Sequence, residues 1–148
     1  MFDIFDIVHP YFELQFAVEA GDITHVKHVI LERKDFLNEV CLGDDQTPLA
    51  YACMLGYLDI VIFLVEQGAD VNIRMGDDGY TALFWAVMGG QIECVKFLVE
   101  SGAKINIQSY QGDIVFDMAH YEDDDVDLTE IHEYLQKQMG NKPFSFEV

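Results

Sequence analysis

The chain has 148 residues, and its 27 acidic side chains against 8 Lys and Arg give a formal charge of −19. This length can bury a sizeable core as one continuous domain, while cations so scarce and scattered disfavour direct contact with the phosphates of DNA or RNA. There is no run of eighteen apolar residues and no basic stretch leading into an apolar one, so neither membrane insertion nor secretion is expected and the cytoplasm is the expected location.

In chain order, the first segment carries Phe2, Ile4, Phe5, Ile7, Val8, Tyr11 and Phe12. It is too apolar to dangle in water, and is expected to cover the open side of the first folded unit. Leu14 to Gly21 then matches Leu49 to Gly56 position by position, without the Thr-Pro that precedes the second copy. The stretch Thr47-Pro48-Leu49-Ala50-Tyr51-Ala52-Cys53-Met54-Leu55-Gly56 returns further on as Thr81-Ala82-Leu83-Phe84-Trp85-Ala86-Val87-Met88-Gly89-Gly90. Each is followed by an apolar segment ending in Gly68-Ala69-Asp70-Val71-Asn72 or Gly102-Ala103-Lys104-Ile105-Asn106, in the same register. A degraded copy, Gly112 to Ala119, answers to Gly79 to Ala86. Repetition with a period of about 34 residues marks a stack of short units.

Each unit reads as two helices. Thr47 can cap the first and Pro48 suits its first turn, since proline has no N–H to leave unpaired. Leu49, Ala52 and Cys53 fall on one face, and Gly56 ends the helix as a left-handed cap. Asp59 to Glu66 supplies a second helix with Ile60, Val61, Leu64 and Val65 as its apolar side, stopped by Gly68. Asp70 to Gly79 is too polar and glycine-rich for helix and is expected to be a hairpin-like loop, with Met75 as an extra, bulging residue. Near the end, Glu122 to Asp127 lengthens a turn. Its acids lack the central glycine and terminal glutamate of a calcium loop, so no metal is expected. Asp127 or Thr129 should cap a final helix that turns Ile131, Tyr134 and Leu135 inward and Glu133, Gln136, Lys137 and Gln138 to water. The tail Pro143 to Val148 can fold back onto the stack or add a strand to a partner.

These residues closely resemble the ankyrin repeat, whose signature runs Gly-x-Thr-Pro-Leu-x-x-Ala-x-x-x-Gly, then an apolar helix, then Gly-Ala-Asp-Val-Asn. The resemblance covers roughly residues 10 to 138. It implies an all-α solenoid of about four helix-turn-helix repeats joined by hairpin-like loops, at approximately 8–42, 43–75, 76–108 and 109–139, with a tail at 140–148. The histidine that often follows Thr-Pro-Leu is replaced by Ala50, Phe84 and Asp117. Its hydrogen bonds must then give way to packing of Leu49, Leu83, Phe116, Ala52, Ala86 and Ala119.

The resemblance also implies a concave face lined by loop tips and first helices. The tip residues are Asp44 and Gln46, then Asp77, Asp78 and Tyr80, then Tyr110, Gln111 and Asp113. The helix positions are Glu19 and Ala20, Met54 and Leu55, Met88 and Gly89, Tyr121 and Glu122. Aromatic and methionine side chains within a rim of carboxylates have the composition of a protein-binding patch; the alternative is that Met54, Leu55 and Met88 pack between repeats. Trp85 reads either as a packed residue or as a central anchor beside Tyr51.

The expected function is therefore non-catalytic capture of another protein, which the charge suggests is basic. A narrower version is an inhibitor or immunity-like antagonist that imitates nucleic acid and neutralises a basic toxin or nucleic-acid enzyme. A third is a structural repeat protein with no specific partner. No nucleophile elbow, phosphate loop or dinucleotide fingerprint is present. His9, His25, His28, His120 and His132 are dispersed, and a helical stack offers no deep dry pocket for raising a carboxylate pKa. No cofactor is expected. Cys41, Cys53 and Cys94 have no metal-ligand spacing and read as free thiols. A monomer is expected, because the acidic faces repel and the terminal repeats look capped.

Overall fold

The computed structural model describes residues 4–40, 45–119 and 126–140, with side chains described from residue 10 onward. The helices are α1 (Ile4–Glu19), α2 (Ile23–Glu32), α3 (Pro48–Leu55), α4 (Leu58–Glu66), α5 (Ala82–Met88), α6 (Ile92–Glu100), α7 (Val115–Met118) and α8 (Thr129–Met139), with a 3-10 turn at Lys34–Asn38. Among the described residues there is no extended strand, only isolated bridges at Met75–Tyr80 and Gln108–Ile114.

Local chemistry starts and stops these helices. Thr47 Oγ1 accepts from the Ala50 N–H at 3.2 Å, and Pro48 occupies the first turn. Gly56 ends α3 with φ of 82°, and its N–H returns to the carbonyls of Ala52 and Cys53. Thr81 opens α5 without a side-chain cap bond. Asp127 Oδ1 accepts from the Thr129 N–H at 3.0 Å, so the expected cap of α8 comes from the residue before the capping position, which is Leu128.

The helices pack as α1 on α2, α3 on α4, α5 on α6 and α7 on α8. The first helices of these pairs also lie side by side in the order α1, α3, α5, α7, as do the second helices α2, α4, α6, α8. Between the two rows runs a core that includes Leu14, Val26, Ile30, Leu49, Ile60, Leu64, Leu83, Leu98, Ile131 and Leu135, each essentially removed from water. Each such side chain contributes roughly 1.5–3 kcal/mol of transfer free energy. Cys53 and Cys94 are buried in the same core as free thiols, and burial pushes the Cys53 thiol up. Cys41, the turn from Glu122 to Asp125 and the tail Pro143 to Val148 lie outside the described residues.

Polar contacts fix the spacing between pairs. Asn38 Oδ1 accepts from the Asp70 N–H and Asn72 Oδ1 from the Lys104 N–H, both at 2.9 Å. The Asn72 amide also donates to the Gly102 carbonyl at 3.2 Å. The Asn that closes the repeated motif is thus a clamp on the next loop. On the other side, the Tyr57 hydroxyl donates to the Glu19 carbonyl at 3.1 Å, and the Gln91 amide to the Met54 carbonyl at 3.4 Å. Tyr57 and Gln91 hold equivalent places in successive repeats, each closing the C-terminal end of the preceding first helix.

Three expectations need correction. The N-terminal apolar segment is helical from Ile4 and continuous with the first repeat. Tyr11 does turn inward and stacks on Phe36 at 4.2 Å, but Phe12 stands 55% exposed, because one helix cannot present residues 11 and 12 to the same side. Met75 does not bulge outward: it is buried, and its sulfur accepts from the Thr47 N–H at 3.2 Å. The third concerns Gln46, a proposed contact residue. It is buried, with its amide on Met54 Sδ at 3.6 Å, because the chain entering α3 runs beneath the Met75 side chain.

Candidate partner-binding face

Met75 and Tyr80 exchange backbone hydrogen bonds of 2.9 and 3.1 Å, which closes a hairpin over Gly76-Asp77-Asp78-Gly79. A second finger runs from Gln108 to Ile114, where Ser109 Oγ accepts from the N–H groups of Gln111 and Asp113 at 3.2 and 3.1 Å. The two fingers are joined. The Tyr110 N–H donates to the Asp78 carbonyl at 2.8 Å, and the Gln111 amide to Asp78 Oδ1 at 2.7 Å. Gly79 has φ of 69°, and a Cβ there would sit 2.8 Å from the Tyr110 ring, so this close approach requires glycine.

Tyr110 itself is 61% exposed. Its ring lies 5.1 Å from the Arg74 guanidinium, whose Nη2 also donates to the Gln108 carbonyl. Arg74 is thereby held inside the pair of fingers. Asp45, Asp77 and Asp78 are exposed and Asp113 half-exposed, and none takes part in the ion pairs found among the described residues. Those pairs involve other groups: Glu13 with His25, Glu32 with His28, Asp35 with Arg33, and Glu93 and Glu130 with Lys96. Among the described residues, the finger row therefore carries carboxylates outside any ion pair, beside an exposed tyrosine.

Tyr80 is a different kind of residue. It stacks on Phe84 at 5.0 Å with rings 17° apart and meets Trp85 edge-on at 6.0 Å. Phe84, fully buried at the family's histidine site, thus trades that residue's hydrogen bonds for an aromatic pair. Asp117, at the corresponding site in α7, is exposed, and its Oδ2 accepts from the Ile114 N–H at 3.2 Å. Trp85 is half-buried, and its Nε1 has no hydrogen-bond partner and no contact with solvent. The equivalent tyrosine one unit earlier does find one: the Tyr51 hydroxyl donates to Glu19 Oε1 at 2.6 Å. That bond, followed by one from Gln15, holds the Glu19 carboxyl below the usual carboxylate range.

Along the first helices, Glu19, Ala20, Leu55 and Met88 are exposed, while Met54 and Gly89 are half-buried. A Cβ on Gly89 would collide with the Met54 carbonyl oxygen, so α3 and α5 touch there. Asp44, Tyr121 and Glu122 lie outside the described residues. Sequence reasoning passed over Arg74 and Asn38. Asn38 stands one repeat before Asn72, and that register was the available signal; the position of Arg74 depends on the neighbouring finger and left none.

The family model for ankyrin repeats (3 copies) matches residues 14–109. The chain belongs to the ankyrin repeat family. Among curated proteins, it is 38% identical over 60 residues to the ankyrin repeat protein FPV024 of Fowlpox virus (strain NVSL), a match covering 40% of this chain and 10% of that protein. It is 42% identical over 59 residues to FPV219 of the same virus, covering 38% of this chain and 14% of that one. The matched part is thus a small fraction of either relative. Ankyrin repeats are in general protein-interaction modules. No helix among its described residues is long and apolar enough to cross a membrane.

Proposed function

We propose that this chain is a single ankyrin domain, with repeats near 8–42, 43–75, 76–108 and 109–139, which binds a basic partner protein on the face formed by its fingers and first helices. The observation that carries this reading is the exposed Tyr110 ring on a pair of joined fingers that also carry Asp77, Asp78 and Asp113, carboxylates outside the ion pairs of the described residues. A partly open aromatic side chain supplies holding energy, and unpaired surface charge supplies steering. Asp45, Leu55, Met88 and Gln111 extend the face. The face calls for no cofactor, and binding rather than catalysis is its role.

The test is affinity capture at low and moderate salt with the unaltered chain, Tyr110→Ala and Asp77→Asn. A basic protein retained near stoichiometry by the first, lost with Tyr110→Ala and captured more slowly by Asp77→Asn supports the reading. Equal capture by all three contradicts it. The narrower reading, an antagonist that imitates nucleic acid, rests on the same carboxylates. It predicts that a DNA oligonucleotide competes with the chain for the captured protein.

A further inference from the structure

Two cations of this chain sit on carboxylates, Arg33 on Asp35 at 2.9 Å and Lys96 on Glu130 at 3.1 Å. Arg74 does not. It leads into the first finger, which carries Asp77 and Asp78, yet it forms none of the ion pairs found among the described residues. Its guanidinium goes instead to neutral groups of the second finger: Nη2 donates to the Gln108 carbonyl, and the central carbon lies over the Tyr110 ring, 5.1 Å from its centre. Its Nε is shut off from solvent and has no hydrogen-bond partner. Arg74 and Gln108 hold equivalent places in successive repeats. Gln108 braces its own finger, its amide donating to the Gly112 carbonyl at 3.2 Å. A chain of donors thus runs from Arg74 through Gln108 to the turn after Tyr110, while the guanidinium lies over the Tyr110 ring itself.

We infer that Arg74 is a positioning residue of the binding face: it fixes the Tyr110 ring for the partner and does not itself meet the partner. This role rests on the function proposed above for that face. Charge argues against direct contact, because a cation on the face repels a basic partner at close range. Geometry gives Arg74 a different use. A flat guanidinium can cover a ring and reach a carbonyl together, whereas a lysine ammonium is a point charge on a flexible stem. A ring held in place before the encounter loses less freedom when a partner covers it, so the contact lasts longer for the same area. The two effects of Arg74 therefore have opposite signs. On charge alone, Arg74→Gln makes the face more negative, and should capture a basic partner faster and hold it longer. With the ring released, capture is no slower but release is faster.

The first test needs no partner. Amide hydrogen exchange of the full chain, followed by NMR, should quicken about tenfold in Arg74→Gln at Tyr110 and Gly112, whose N–H groups are bonded to the Asp78 and Ser109 carbonyls. The amides of α5 and α6 should keep their protection. Arg74→Lys, which keeps the charge and loses the flat stack, should behave like Arg74→Gln. The second test uses the basic protein that the unaltered chain retains in the capture experiment: it should leave both variants several-fold faster, with association to Arg74→Gln no slower. Unchanged exchange at Tyr110 in Arg74→Gln overturns the role. So does exchange that quickens in α5 by as much as in the fingers, full rescue by Arg74→Lys, or slower release from Arg74→Gln. An unaltered chain that captures no basic protein contradicts the proposed function instead, and the exchange measurement then decides alone for or against the hold on Tyr110.

Discussion

Tyr80 and Tyr110 occupy adjacent fingers and look interchangeable on paper, yet they do different work. Tyr80 is committed to the stack on Phe84 and the edge contact with Trp85, so Tyr80→Ala should destabilise the fold by about 2–4 kcal/mol. Tyr110→Ala should stay within about 1 kcal/mol, since the ring is mostly in water and touches chiefly Gly79 and Arg74. Urea unfolding of both variants checks the contrast, and equal losses would refute it. Tyr51 gives a second prediction at this scale. Its hydroxyl is the leading cause of the lowered Glu19 pKa, and a carboxyl lowered on folding adds stability that is present above its unfolded pKa. The contribution fades as pH falls through the lower folded value. Tyr51→Phe should therefore cost about 0.5–1.5 kcal/mol at neutral pH, and the gap between variant and parent should narrow below about pH 4. A gap that widens in acid would contradict the assignment.

At the level of elements, the sequence was most legible where a local rule decides the outcome. Thr47-Pro48 opened a helix, Gly56 closed it with positive φ, and the apolar periodicity of Ile60 to Leu64 marked the buried side of the next. It was least legible where a neighbouring repeat decides. Met75 looked like an insertion, but its sulfur is held by the backbone N–H of Thr47, in the preceding loop. Gln46 looked like a loop tip and is buried for the same reason. The exposure of Phe12 and Phe16 depends on there being no described helix beyond α1, which composition does not convey. The motif asparagines were visible as a repeat, and their bonds supply the reason. Asn72→Ala removes both the bond from Lys104 and the bond to Gly102 and should cost about 1–3 kcal/mol. Hydrogen exchange should then quicken at the Lys104 amide before it changes in α4; unchanged protection at Lys104 would count against the clamp.

Taken as a whole molecule, the chain is a row of helix pairs in which three of the eight Lys and Arg are used internally: Arg33 on Asp35, Arg74 on Gln108 and Tyr110, Lys96 on Glu93 and Glu130. Much of the −19 is left on exposed side chains. The family membership and the helical architecture follow from the repeated motif. The binding face is argued from where the unpaired carboxylates and the open tyrosine fall together. The most direct test of that face is site-specific photo-crosslinking in native lysate, with a photoreactive amino acid placed at Tyr110 or, for comparison, at Glu66 at the exposed end of α4. The account predicts one dominant adduct to a basic protein from position 110, suppressed by salt, and none from position 66. The same adduct from position 66, or from neither, would contradict it.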